Sequence, residues 1–143
     1  GLLVLGLTTG HGASAASPRA LRGEIITSVD EILMPRSAES FVRELLDQDQ
    51  TRLERGRDGS WLIHFVAFFD RPLPVNHLGV VVLDARGEPV SLAQVDVRKG
   101  QWNLASFIEV ESSTTSGQSH TLQLYYARAG KPVILAAKSI ILR

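Results

Sequence analysis

Hydrophobic positions along this chain follow two rules in turn. Phe41, Val42, Leu45 and Leu46 recur at i, i+1, i+4 and i+5 and make one apolar stripe, with Arg43, Glu44, Asp47 and Gln48 opposite. That spacing predicts an amphipathic helix from an N-cap at Ser37 to about Asp49, with Glu39 in the first turn, where the helix dipole favours an anion. Before it, Glu24–Leu33 reads as a strand closed by Pro35. From Thr51 onward the period is two.

Thr51–Arg55 is a short strand candidate, and Asp58-Gly59 is a hairpin turn signal because glycine accepts positive φ. Trp61–Phe69 is almost wholly apolar, as a strand covered on both faces must be. Pro72 and Pro74 end it, since proline cannot donate to a ladder. Leu78–Asp84, Val90–Arg98, Asn103–Glu111, Thr121–Ala127 and Pro132–Leu142 complete the set, separated by turns at 85–89, 99–101, 112–119 and 128–131. Seven or eight short strands at a spacing of about ten residues, with one early helix, predict a mainly β fold: an immunoglobulin-like antiparallel β-sandwich. A small closed β-barrel is the alternative. No motif is specific enough to name a family.

The first sixteen residues read differently. Gly1–Leu7 is apolar or glycine, and Ala13-Ser14-Ala15-Ala16 offers small residues at the spacing a signal peptidase requires. Residues 1–16 are therefore expected to be the remnant of a signal peptide and 17–143 a single domain. The expected location is exported, in the periplasm or outside the cell.

Composition narrows the function classes. Fifteen Lys plus Arg balance fifteen Asp plus Glu, which argues against a nucleic-acid partner. There is no cysteine, hence no thiolate nucleophile and no Cys-based zinc site. No apolar run is long enough for a transmembrane segment. His64, His77 and His120 are scattered, none two or four residues from another, so no metal and no other cofactor is implied. Glu109 and Glu111 share a strand face about 6.5–7 Å apart, a separation open to acid–base chemistry but on a face expected to be solvated. No serine sits in a Gly-x-Ser-x-Gly elbow.

Aromatic residues give the most informative remaining signal. Trp102 lies at a turn beside Gly100 and Gln101, and Tyr125 and Tyr126 must point to opposite faces of their strand. Trp102, Tyr125 and His77 are the candidate partner-binding residues, because exposed Trp and Tyr offer rigid surface with a polar handle. The last strand, sticky at Val133, Leu135, Ile140 and Ile141, is a candidate edge for strand addition. The reading is an exported, non-catalytic module that binds a protein of the bacterial cell envelope. Two alternatives stand beside it: a carbohydrate-binding module built on a row of Trp102 and a tyrosine, and a small metal-dependent hydrolase in which His77, Asp70 and His120 converge.

Overall fold

A computed structural model describes residues 3–10, 15–114 and 116–143. The strands are β1 (Leu3–Thr9), β2 (Ile25–Ser28), β3 (Arg52–Leu53), β4 (Trp61–Phe68), β5 (His77–Leu83), β6 (Pro89–Asp96), β7 (Asn103–Val110), β8 (Ser119–Arg128) and β9 (Lys131–Leu142), with one helix, α1 (Phe41–Gln48), between β2 and β3. They form two sheets in the orders β1-β6-β5-β8-β9-β3 and β2-β4-β7. The chain is thus mainly β, with strands β4 to β9 within two residues of the bounds that the alternation predicts.

The core follows from the parity of these strands. Trp61, Ile63, Phe65 and Ala67 of β4 and Leu104, Ile108 and Val110 of β7 face Leu78, Val80 and Val82 of β5, Ala93 and Val95 of β6, and Leu122 and Leu124 of β8. The other face of β4 carries Val66 and Phe68, which pack with Ile26, Leu21 and Leu45 beneath α1. Phe41 meets Phe68 edge-on, ring centroids 6.2 Å apart. The result is three layers: the larger sheet, the smaller sheet, and α1 on the smaller sheet's outer face.

Several local expectations are corrected. The sheets are mixed rather than wholly antiparallel, because β1 runs parallel to β6 and β3 parallel to β9. The strand expected over residues 24–33 stops at Ser28, whose hydroxyl accepts the Asp30 N–H at 3.0 Å and turns the chain. The helix starts three residues later than the Ser37 cap implies, with Ser40 at its N-cap; the Ser40 hydroxyl donates to Glu44 at 3.0 Å instead of capping. Leu46 is exposed, because it lies about 100° round the helix from Leu45, the residue that is fully buried. Of the expected signal remnant, Leu3–Thr9 is β1, Ala15 and Ala16 are exposed, and Ala13 and Ser14 lie outside the described residues.

A strap from Gln48 to Arg55 joins the layers. The Gln48 amide holds both the N–H and the carbonyl of Leu33, each at 2.8 Å. Asp49 accepts the Thr27 N–H of β2 at 2.9 Å and an ion pair from Lys138 of β9. Gln50 exchanges backbone and side-chain bonds with Thr27 and Val29, and the Thr51 carbonyl accepts the Ile141 N–H at 2.8 Å. The strap ends on Trp61: its indole N–H donates to the Leu53 carbonyl at 3.1 Å, and the Arg55 guanidinium lies 4.1 Å over its ring.

Trp61→Ala is expected to lower the unfolding free energy by about 3–5 kcal/mol, since it empties a fully buried site and removes the indole bond to the Leu53 carbonyl, which keeps only the Arg143 N–H; urea denaturation reads it. Two turn carboxylates add a pH dependence. Hydrogen bonds from Ser60 hold the Asp58 carboxyl below its ordinary 3.8, and the Glu88 N–H does the same for Asp84, helped by Arg86. Depressed folded values mean that the charged forms support the fold above pH 3.8 and that this support is lost as pH falls through the folded values. Stability measured from pH 6 down to about pH 2 is expected to fall, and Asp58→Asn and Asp84→Asn each to flatten that fall.

Candidate functional site

On the outer face of the larger sheet, a direct register row runs Gln94–Gly79–Tyr125 across β6, β5 and β8. With no side chain at Gly79, the sheet has a trough at its middle strand. Tyr125 leans into it so closely that a Cβ at Gly79 would stand 2.3 Å from the Tyr125 Cζ and 2.7 Å from its hydroxyl oxygen. This is an aromatic ring covering a strand glycine, an arrangement that offsets the packing a glycine lacks. Around it opens a cavity of about 360 Å³ lined by His77, Leu92, Gln94, Tyr125 and Tyr126, among others. Its floor is apolar, and the polar groups it offers are an imidazole, an amide and a phenol. Pocketed apolar floors with a few such groups are typical of recognition sites.

Two of the three candidate partner-binding residues, His77 and Tyr125, therefore share one groove. The adjacent tyrosines do split between faces: Tyr126 packs against the core and Tyr125 stands outside it. Trp102 is not among the residues lining this groove. It is half-buried at the start of β7, with the Arg22 guanidinium 5.9 Å from its ring centroid. Its carbonyl accepts the Phe69 N–H and the Ser17 hydroxyl, each at 2.9 Å, so it anchors the segment that opens at Ser17.

The histidines do not gather. His77 and His120 lie at opposite ends of the β5–β8 pair, because Gly79 pairs with Tyr125 and Leu83 with Thr121. Seven residues of strand separate their levels, about 23 Å. Asp70 lies against Gly23. His120 is buried: its Nδ1 sits 3.0 Å from the Gln118 carbonyl and its Nε2 has no hydrogen-bond partner among the described residues. His64, on the outer face of β4, packs its ring 6.2 Å from that of Phe107. Among the described residues no group of three His, Asp or Glu is placed to hold a metal ion. Arg55 is occupied with Trp61 and with the carbonyls of Gly59, Ser112 and Thr114.

No protein-family model, curated protein or solved structure matches this chain. The groove must be read from its own chemistry. What sequence reasoning missed was Gly79. A lone glycine inside an alternating strand signals a close approach by another group, but only the pairing of β5 with β8 identifies that group as Tyr125.

Gly79→Ala is expected to push the Tyr125 ring out of the trough and to destabilise the fold by about 1–3 kcal/mol, the usual range for overpacking. Tyr125 ring-proton shifts report the displacement and thermal unfolding reports the cost. An unshifted ring would mean that it does not cover Gly79 in solution.

Proposed function

We propose that this chain is an exported, non-catalytic interaction module that binds a protein of the bacterial cell envelope through the β5–β6–β8 groove. The observation that carries the reading is the Tyr125 ring over Gly79, which makes an aromatic wall beside an apolar floor, with His77 and Gln94 at hand to fix orientation. The same reading takes the two packed sheets as an immunoglobulin-like sandwich extended by β1 and β3. It takes export from the small-residue site at Ala13–Ala16 that precedes Ser17.

An extended peptide suits this groove better than a sugar. Carbohydrate platforms stack a flat ring on coplanar aromatics, whereas Trp102 is not among the residues that line the Tyr125 groove. The groove instead offers separate apolar and polar patches along three strands, a layout that reads alternate side chains of an extended chain.

Selection of linear peptides displayed on phage against the immobilised protein tests this. Selected peptides are expected to bind Tyr125→Ala at least tenfold more weakly and Trp102→Ala unchanged. Equal binding to Tyr125→Ala would remove the groove from the interaction. A null selection accompanied by Tyr125 shifts on adding soluble cell-wall glycans would replace the protein partner with a carbohydrate.

A further inference from the structure

Beneath β1, the outer strand of the larger sheet is β6, and β7 is the outer strand of the smaller one. The two edges meet across the core. Near one end they are tied directly, the Ser91 hydroxyl of β6 donating to the Glu109 carbonyl of β7 at 2.5 Å. β1 lies along this seam. It pairs in parallel with β6 from Leu3↔Ser91 to Thr9↔Asp96, and it also contacts β7. Gly10 follows, set so deep that a Cβ on it would stand 2.1 Å from Leu104 Cδ1 and 2.9 Å from Val95 Cγ1. Leu104 and Val95 are both fully buried core residues, one from each sheet. β1 thus closes the sandwich where β6 and β7 present neighbouring edges.

The acceptor side is built for such pairing. Between its ends, Pro89 and Asp96, β6 carries neither charge nor proline, the usual guards of a sheet edge. The other long outer strand, β9, differs in its interior: Lys138 stands mid-strand, engaged by Asp49, and its last residues pair with β3. The expectation of strand addition therefore moves from the last strand to β6.

We propose that the seam between β6 and β7 is a strand-accepting groove. β1 fills it in cis, and an extended, uncharged, apolar segment of an envelope protein fills it once the chain is cut before Ser17. This rests on the export reading above. The chemistry of the incoming segment is that of its occupant here, Leu-Val-Leu-Gly-Leu-Thr-Thr followed by a glycine. It runs parallel to β6, carries no charge, and has a minimal side chain where it passes Leu104.

The test uses the full chain with a protease recognition sequence inserted between Gly12 and Ala13. After cutting, a fluorescein-labelled synthetic peptide of residues 1–12 is added and its anisotropy followed. The expected result is a saturable rise with the cut protein and none with the uncut one. A peptide with proline at positions 7 and 8 should bind at least tenfold more weakly, since proline removes ladder donors. If cutting unfolds the protein, recovery of its near-ultraviolet circular dichroism on adding the peptide supports the groove equally. No binding and no recovery would overturn the proposal. So would a cut or uncut protein that elutes as a dimer with exchanged β1, because the occupant would then be a second copy. N-terminal sequencing of the protein recovered from the host envelope separates the two ideas. A chain beginning before residue 16 defeats the cleavage reading and leaves the exchange result standing. A chain beginning at Ala16 or Ser17 that takes up no peptide defeats the groove alone.

Discussion

The rest of the structure depends on β4 being covered on both faces. Its run from Trp61 to Phe69 holds apolar residues on either side of the pleat, so a two-layer arrangement would leave Val66 and Phe68 in water. Burying a side chain of that size contributes about 1.5–3 kcal/mol. The larger sheet covers one face, and α1 with Leu21 and Ile26 covers the Val66–Phe68 half of the other, leaving Leu62 exposed. An eight-residue helix is too short to persist alone in water, so α1 owes its existence to that contact as much as β4 owes its burial to α1. The third layer is a consequence of the β4 composition.

A helix outside the smaller sheet creates a second constraint: the chain must return from it to the larger sheet. The strap from Gln48 to Arg55 makes that crossing, bonding β2 on one side and β9 on the other. Polar side chains do this work because no regular ladder can serve two sheets at once. Asp49 is the clearest instance, accepting the Thr27 N–H and pairing with Lys138, an inward-pointing lysine. Such a lysine also guards an edge strand against pairing with another chain.

Strands β4 to β9 were legible because alternation and turn residues are local signals, and Asp58-Gly59 and the prolines near residue 73 mark ends whatever the partner. The helix was legible in kind and not in extent: Ser37 and Glu39 satisfy a capping pattern, but β4 offers apolar surface only for the turns from Phe41 on. Both parallel pairs were illegible, since β1 and β3 find partners 87 or more residues away with nothing in either segment to specify them. The site was half legible. Tyr125 and His77 stood out by residue type, yet what brings them together is the register of β5 against β8 at Gly79. Trp102 stood out on the same grounds and is occupied with the segment around Ser17 and Arg22.

The groove and the seam are neighbours because they share β6. Leu92 and Gln94 line the groove with their side chains, while the backbone at the same two residues pairs with β1 at Val4 and Leu7. In strand addition, main-chain hydrogen bonds along an edge supply affinity and adjoining pockets select side chains. A strand seated at the β6 edge would lie two strand spacings, about 10 Å, from His77 and Gly79 on β5 and three, about 14 Å, from the backbone of Tyr125, whose ring leans back over Gly79. An aromatic groove on a sheet face and an edge that accepts β1 are each weak pointers taken separately. Joined on one strand, they form the single surface on which the proposed binding of an extended peptide rests, its backbone at the β6 edge and its side chains toward the groove.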